Sequence, residues 1–346
     1  MGTELTHQIY NQRRKTLGEI LPLSMPLMIQ IQVTNLCNFK CFYCSGSRTP
    51  DERKNEGLEL AHMPFDDYKR CIDSIVQSGG TKVLNLLGWG EPLLHPNIAD
   101  MVRYAKEKKV AQLVRIITNG SLLTPELSDA LIDAGLDNLR ISLQGLNEED
   151  YRDVSNVKID FDQFIKNIQY YYEHRKQSTV SLKIMDIMIK GKEAAFDKIF
   201  APICDEYLID ALCDMNDNID VHGHGSAVNQ TFLGAAFLDT NICSAPLFRA
   251  YIDVDSQLFP CCHLPMPCKF GDVRENFYAV WNGKEHIRFL LDMVKGQRDT
   301  YTFCQNCKLY LSQLLPSDKL DDYRDELIEK YTKLFDNAEK RKGARV

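Results

Sequence analysis

Three cysteines lie close together near the N-terminus of the chain, at Cys37, Cys41 and Cys44, with the spacing C-x3-C-x2-C. Cysteine thiolates are the usual ligands of iron–sulfur clusters. Three of them can ligate three irons of a [4Fe–4S] cube and leave the fourth iron open to the amino and carboxylate groups of a cofactor or substrate. A zinc site is the alternative, but structural zinc usually takes four ligands in two pairs.

The remaining cysteines indicate the redox compartment. Six of the twelve lie within residues 243–310, a density that would suggest disulfides in a secreted protein. The N-terminus does not have a secretory pattern, because Pro22 and Pro26 interrupt its apolar stretch, which is also too short to span a bilayer. We therefore expect a cytoplasmic protein with metal-bound thiolates and no membrane partner.

The composition limits the classes of substrate. The chain has 346 residues and is 44% hydrophobic, which suits one large domain with a small appendage. Lys and Arg total 41 against 48 Asp and Glu, so the net charge is −7. Enzymes that act on nucleic acids usually carry a basic surface. We therefore expect no nucleic-acid partner.

Strand and helix patterns alternate through the N-terminal part of the chain. Strands are predicted at residues 28–34, 83–87, 114–118, 139–143 and 180–189, with a sixth within residues 207–221. Regular alternation implies parallel strands with right-handed crossovers. Six units are too few for a closed eight-stranded barrel. We predict an α/β fold with a partial (β/α)6 barrel, whose active site lies at the C-terminal ends of its strands.

The same patterns divide the chain into five segments. We expect an N-terminal extension at residues 1–27, the barrel at 28–222, a linker at 223–242, a small cysteine-rich domain at 243–312, and a C-terminal helix and tail at 313–346. The helix is predicted from apolar residues that recur on one face.

The context of the cysteine triplet resembles the radical S-adenosylmethionine (SAM) superfamily. An aromatic residue, Tyr43, comes just before the last cysteine, and the triplet follows the first predicted strand, as it does in that family. Further positions that resemble the family's SAM pocket follow later strands. They are Gly88, Gly90 and Glu91 in a Gly-Trp-Gly-Glu-Pro sequence, Asn119, Ser142 and Arg152.

The resemblance implies roles for these residues and a cofactor. A Gly90 backbone group or the Glu91 side chain would hold the SAM amino group, Asn119 and Ser142 would line the pocket, and Arg152 would pair with the SAM carboxylate. The reduced cluster would cleave SAM, and the resulting 5′-deoxyadenosyl radical would abstract a hydrogen atom from substrate. A flavodoxin or a ferredoxin-type protein would supply the electron.

The C-terminal cysteines resemble the SPASM or twitch domain, which carries an auxiliary cluster. The resemblance implies a second [4Fe–4S] cluster held by Cys243, Cys261, Cys304 and Cys307, with Cys262 as the alternative to Cys261. No cysteine follows Cys307, so a single auxiliary cluster is predicted. A zinc ribbon is the other site that four cysteines could form.

Three classes of function stay open. A single auxiliary cluster resembles aminocyclitol dehydrogenases and related epimerases, so we expect oxidation or epimerisation of a small polyol, sugar or cyclitol. Radical modification of a ribosomally made peptide is the alternative, although only 36 residues precede Cys37, fewer than a leader-binding domain needs. A non-catalytic iron–sulfur electron carrier is disfavoured, because a carrier has no use for SAM-pocket residues.

The sequence also offers two ways to resolve a substrate radical. A dehydrogenase would pass one electron to the auxiliary cluster, and we favour this route. An epimerase would instead return a hydrogen atom from a thiol. The unligated cysteines expected nearest the cavity are Cys213, close to the last strand, and Cys268, inside the auxiliary domain.

Overall fold

The structure is a computed structural model of the chain. It describes residues 2–5, 14–47, 52, 60–213, 221–225, 229–262 and 268–343.

The described strands form one sheet of ten, in the order β1-β7-β6-β5-β4-β3-β2-β8-β9-β10. Their bounds are β1 Thr3–Glu4, β2 Met28–Ile31, β3 Thr81–Leu86, β4 Ala111–Thr118, β5 Asn138–Ser142, β6 Thr179–Met185, β7 Glu206–Asp210, β8 Arg249–Ile252, β9 Gln257–Phe259 and β10 Gly271–Asp272. Strands β2 to β7 pair in parallel, each with its neighbour in sequence. The predicted partial barrel of six parallel strands is therefore confirmed.

Helices connect these strands and cover one face of the sheet. The described α-helices are α1 Leu17–Ile20, α2 Phe65–Gln77, α3 Ile98–Glu107, α4 Pro125–Asp133, α5 Glu148–Ser155, α6 Phe161–His174, α7 Asp186–Ile189, α8 Glu193–Phe200, α9 Phe277–Trp281, α10 Lys284–Val294, α11 Thr302–Gln305, α12 Leu309–Ser312 and α13 Arg324–Gly343. Helix α4 begins as its sequence predicts, because Thr124 caps it by accepting a hydrogen bond from the Leu127 N–H at 3.2 Å. Pro125 occupies its first turn, where no amide hydrogen is needed.

Alternating side chains give the barrel two different faces. The outer face of β2 presents Ile29 and Ile31, which are fully buried in the main core, and Leu139 and Ile141 of β5 are buried in the same core. The inner face of neighbouring strands carries many polar and charged residues, Arg140 among them. The helices therefore cover an apolar layer, while the barrel interior is left for polar chemistry.

Two predicted elements have different bounds. The strand predicted at residues 180–189 ends at Met185, because Asp186 turns the chain into α7. Its carboxylate accepts hydrogen bonds from the backbone N–H of Ile187 and of Leu212. The C-terminal helix begins at Arg324, after two short 3₁₀ turns.

The cysteine-rich segment continues the barrel's sheet. Strand β8 pairs in parallel with β2, with Ala250 opposite Ile29, and β9 and β10 follow as an antiparallel extension. Ala250 and Leu258 belong to the same buried core as Ile29. A second core joins the N-terminal segment to helices α10 and α13, through residues such as Leu21 and Tyr331. In the part of the chain that is described, no helix has the length and apolarity needed to cross a membrane.

Candidate active site

The cysteine triplet occupies the loop after β2, at the C-terminal end of the barrel. Cys41 is buried, and Cys37 and Cys44 are half-buried. The backbone N–H of Phe39 donates to Cys37 Sγ at 3.4 Å, and the N–H of Gly46 donates to Cys44 Sγ at 3.3 Å. Donors directed at sulfur favour the thiolate form that a metal requires.

The surroundings of the three thiols favour a bound cation. Burial, together with the charges of Glu91 and Cys44, raises the pKa of Cys37 from 9.0 to about 11, although the hydrogen bond from Phe39 lowers it. Burial also raises the pKa of Cys41, and repulsion from the other two cysteines adds to that shift. Without a metal, these thiols would keep their protons. Iron would replace the protons and offset the repulsion, so the donor set fits a cluster.

Gln144 links the triplet to the end of β5. Its side-chain oxygen accepts a hydrogen bond from the Tyr43 hydroxyl at 2.6 Å and lies 3.6 Å from Cys41 Sγ. Its amide donates to the carbonyl of Ser142 at 3.0 Å. Sequence reasoning missed Gln144, although its place two residues after Ser142, at a strand end, was a usable signal.

Gly90 lies where the loop after β3 crosses the cysteine loop. A Cβ at this position would stand 2.2 Å from the carbonyl oxygen of Thr34 and 2.7 Å from that of Leu36. The next residue, Glu91, donates its N–H to Leu36 O at 2.7 Å. The close approach of the two loops requires glycine at position 90, because both neighbouring carbonyl oxygens belong to the backbone and cannot rotate away.

We expect Gly90→Ala to displace the cysteine loop and remove the first cluster. The bound iron should fall by about half after anaerobic reconstitution, since one of two clusters is lost. Gly223→Ala is the matched control, because a Cβ there meets nothing within 4 Å. Iron and sulfide analysis measures the effect, and wild-type iron content in Gly90→Ala would contradict this account of the loop.

Glu91 is buried, and both oxygens of its carboxylate accept hydrogen bonds from within the protein. Oε1 accepts from the Leu93 N–H at 2.9 Å and from the Thr118 hydroxyl at 2.5 Å, and Oε2 accepts from the Asn119 N–H at 2.7 Å. Burial raises the pKa of Glu91 from 4.5 to about 6, although the three hydrogen bonds lower it. Glu91 therefore acts here as a positioning residue that ties β3 to β4. Its direct contact with SAM stays a prediction.

Glu91→Ala should destabilise the protein even without SAM. The change leaves the donors of Leu93, Thr118 and Asn119 without their acceptor, at a cost of about 2–4 kcal/mol. Thermal unfolding followed by circular dichroism tests this, with Glu91→Gln expected to be intermediate because its amide keeps one acceptor oxygen. A residue that served only as a SAM ligand would leave the unfolding temperature of the SAM-free protein unchanged.

The other predicted SAM-pocket residues differ in their placement. Asn119 donates to the Asn38 side chain at 2.9 Å, which connects the end of β4 to the cysteine loop. Arg152 lies on α5 with 52% of its side chain exposed, and it faces Glu149 and Asp153 at 3.4 and 3.6 Å. The structure does not bring Arg152 to the cavity, because acidic neighbours on its own helix hold the guanidinium at the surface.

A central cavity of about 310 Å³ opens beside the triplet. It lies among residues that follow β2 and β3 and the ends of β6 and β7. The lining residues that carry functional groups include Tyr43, Cys44, Lys183, Asp210, Cys213 and Cys262. This position matches the predicted active site at the C-terminal ends of parallel strands.

An ion pair lies inside this cavity. Lys183 Nζ of β6 is 2.7 Å from Asp210 Oδ2 of β7, and the Asp210 side chain is only 10% exposed. Sequence reasoning missed both residues. The signal that could have indicated Lys183 was a lysine between Leu182 and Ile184 on a predicted strand.

Four cysteines meet at a second, smaller cavity near β8. They are Cys243, Cys261, Cys304 and Cys307. Burial raises the pKa of Cys243 to about 12 and that of Cys304 to about 11. Arg298, only 11% exposed, donates to the carbonyl oxygens of Cys304 and Cys307 and so holds the closing pair in place.

Cys261 and Cys262 lie on different cavities. Cys261 lines the four-cysteine cavity, whereas Cys262 lines the central one. The carbonyl of Cys262 accepts a hydrogen bond from Trp89 Nε1 at 2.6 Å, which joins the two cysteine regions. Of the two unligated cysteines considered for hydrogen return, Cys213 lines the central cavity and Cys268 does not. Cys268 packs in the second core, on the side of Cys304.

Within the described residues, no group of three His, Cys, Asp or Glu side chains is arranged to hold one metal ion. A cluster distributes its thiolates over several irons, so its ligands stand further apart than those of a single ion. The lack of a single-ion site in that part of the chain is therefore compatible with clusters at the four thiols of the smaller cavity and at the three thiols of the β2 loop.

Comparison with known families decides the identity. The family described as the radical SAM superfamily matches residues 31–193, and an iron–sulfur cluster-binding domain, SPASM, matches residues 243–308. The chain belongs to the radical SAM superfamily. The two matched segments place the first cysteine triplet in the radical SAM domain and the C-terminal cysteines in the SPASM domain. Its cofactors are SAM and an iron–sulfur cluster in each of the two domains.

Individual relatives of this radical SAM protein vary in activity. It is 28% identical to the AdoMet-dependent heme synthase of Methanosarcina barkeri over 49% of this chain and 47% of that protein. It is 34% identical to the PqqA peptide cyclase of Rhodopseudomonas palustris over 35% of this chain and 29% of that one. The chain thus spans less than half of either relative.

A solved structure shares the fold. The structure of BtrN in complex with AdoMet and 2-DOIA aligns with a TM-score of 0.55 and 18% identity, covering 85% of this chain and 98% of that one. At this identity the likeness concerns the fold alone.

Proposed function

We propose that this enzyme cleaves SAM and removes a hydrogen atom from a small polyol, sugar or cyclitol, which is then oxidised or, alternatively, epimerised. The observation that carries the proposal is the central cavity of about 310 Å³, which is lined by Cys44 of the first cysteine site and by the Lys183–Asp210 pair. A cavity of this size suits a small molecule.

We assign the ligands of the two clusters from the cavities that they line. Cys37, Cys41 and Cys44 would hold the first cluster and leave one iron for SAM. The second cluster would take Cys243, Cys304 and Cys307 with Cys261 as the fourth ligand, because Cys261 lines their cavity and Cys262 does not.

The pocket for SAM lies between the triplet and the neighbouring strand ends. Gly88 and Gly90 let the loop after β3 approach the cysteine loop, and Asn119 and Ser142 end the next two strands. Bound SAM supplies a carbon-centred radical after an electron arrives from a flavodoxin or ferredoxin-type donor.

Asp210 and Lys183 supply the proton chemistry of the proposed oxidation. Loss of a hydrogen atom from a carbinol carbon makes its hydroxyl acidic, and a carboxylate within reach can accept that proton. Lys183 orients the Asp210 carboxylate, with 2.7 Å between Nζ and Oδ2. The second cluster, held at the neighbouring cavity, would be the acceptor of the remaining electron.

Epimerisation would use the thiols of the central cavity. Cys213 Sγ contacts the Gln230 carbonyl at 3.3 Å, and both Cys213 and Cys262 line the cavity wall. Either thiol could return a hydrogen atom to the face opposite the abstraction. Cys268, expected from the sequence to share this role, is separated from the cavity and is the weaker candidate.

Peptide modification is the second candidate function. The identity to a PqqA peptide cyclase favours it, since that relative is a peptide cyclase by name. A peptide substrate would need to extend beyond the central cavity. We favour the small molecule because of the size of that cavity.

The test uses the anaerobically reconstituted protein with SAM, a reductant and a panel of polyols and aminocyclitols in D2O. We expect 5′-deoxyadenosine together with a carbonyl product that lacks two hydrogens of the substrate. Deuterium at an inverted carbon would instead establish epimerisation, because thiol hydrogens exchange with solvent. Absence of 5′-deoxyadenosine under all conditions would refute the proposed function.

A further inference from the structure

A third cavity, distinct from the four-cysteine cavity, adjoins the central one inside the barrel. Its volume is about 170 Å³, and it shares Lys183, Asp210 and Phe232 with the central cavity. The cationic side chains that line it come from Arg14, Arg140, Lys183 and Arg249. Such a concentration of positive charge stands out in a chain whose net charge is −7.

The fold places these cations together by strand geometry. Arg140 of β5 and Lys183 of β6 lie on the inner faces of neighbouring strands, and Arg249 begins β8 on the far side of β2. Arg14 comes from the N-terminal segment, and residues 312–315 complete the wall. Four separate parts of the chain therefore direct positive charge into one space.

Two of these cations face carboxylates within the described part of the chain. Asp318 faces Arg14 at 2.7 Å, and Asp210 faces Lys183 at 2.7 Å. Arg249 donates to the neutral side-chain oxygen of Gln313, and its guanidinium lies 4.8 Å from the centre of an aromatic ring. These contacts hold the Arg249 side chain in place at the cavity wall.

One N–H donor of Arg140 has no acceptor within the described residues. This donor is Nε, which is buried. A buried donor without an acceptor costs free energy unless a ligand or water satisfies it. Arginine also presents a planar fork that matches the oxygens of a carboxylate or phosphate.

We infer that this cavity binds an oxyanion group of the substrate, a carboxylate or a phosphate, with Arg140 and Arg249 as its main ligands. The substrate of the enzyme proposed above is then an anionic sugar, polyol or cyclitol, whose charged group enters this cavity while its reacting carbon lies beside Cys44. The assignment of this anion to the substrate rests on the proposed function, whereas anion binding itself can be tested separately.

Isothermal titration of inorganic phosphate and of acetate into the reconstituted protein tests the site. We expect one anion to bind more tightly, which identifies phosphate or carboxylate as the natural group. Arg140→Gln should weaken that binding at least about tenfold, and Arg140→Lys should weaken it less. Arg103→Gln on α3 is the control, because this arginine is 43% exposed and pairs with Asp100 at the surface.

Three results would overturn the inference. The first is equal anion binding by wild type and Arg140→Gln, and the second is no binding of either anion to the wild type. The third is a matching loss of SAM affinity in Arg140→Gln, which would assign the guanidinium to the SAM carboxylate. Circular dichroism and iron content check folding, and Arg249→Gln repeats the test if Arg140→Gln does not fold. A wild type that binds phosphate but never yields 5′-deoxyadenosine would refute the proposed function alone.

Discussion

Cys37→Ala will abolish formation of 5′-deoxyadenosine while the protein keeps about half of its iron. The three members of the triplet share one loop at the end of β2, whereas Cys213 and Cys262, which also line the central cavity, follow β7 and β9. Loss of one ligand exposes the buried site and leaves two thiols that are repelled by each other. Anaerobic reconstitution, iron analysis and chromatography of the reaction mixture measure the effect.

Cys71→Ala is the matched control for this experiment. Its thiol is fully buried on α2, in the main core and outside both cysteine cavities. This control should retain both clusters and full SAM cleavage. If Cys37→Ala still produced 5′-deoxyadenosine at the control's rate, the first cluster would have to be held by other residues.

Cys261→Ala and Cys262→Ala should have opposite effects on the second cluster. Cys261→Ala removes a thiol from the four-cysteine cavity, so we expect loss of about half of the iron. Cys262→Ala should keep all of the iron, because its side chain lines the central cavity instead. The neighbouring variants differ by one residue and serve as controls for each other.

A functional measurement extends this comparison. If the enzyme epimerises, Cys262→Ala should lose or slow solvent deuterium incorporation while 5′-deoxyadenosine still forms. If it oxidises, the same change should leave the carbonyl product unaffected. Iron loss in Cys262→Ala with full iron in Cys261→Ala would reverse the ligand assignment.

The strand pattern and the cysteine spacing could be predicted because both are local. Alternation of apolar residues indicated six parallel strands, and a loop that follows the first strand necessarily lies at the active end of the barrel. The cap at Thr124 was predictable for the same reason, since capping depends on residues three positions apart. The exposed position of Arg152 could not be predicted in this way, because spacing alone does not show which way a helical side chain faces.

The cavity residues could not be predicted because they depend on contacts between distant strands. The Lys183–Asp210 pair requires β6 and β7 to be in one register, with Met185 opposite Asp210. Cys261 and Cys262 are neighbours in the loop after β9 and line different cavities, and each of these cavities is completed by residues far away in sequence. Arg140 and Arg249 line the same cavity although three strands separate β5 from β8 in the sheet.

The parallel pairing of β8 with β2 has a consequence for electron movement. The two candidate cluster sites would lie beside one sheet, because the cysteine triplet follows β2, Cys243 precedes the adjacent strand β8, and the Trp89–Cys262 hydrogen bond ties the neighbouring loops together. The tunnelling distance between them is therefore set by a backbone ladder, not by the length of a flexible tether. Electrons would pass at a rate fixed by the architecture, and neither centre could swing out to meet an external protein without breaking strand pairing.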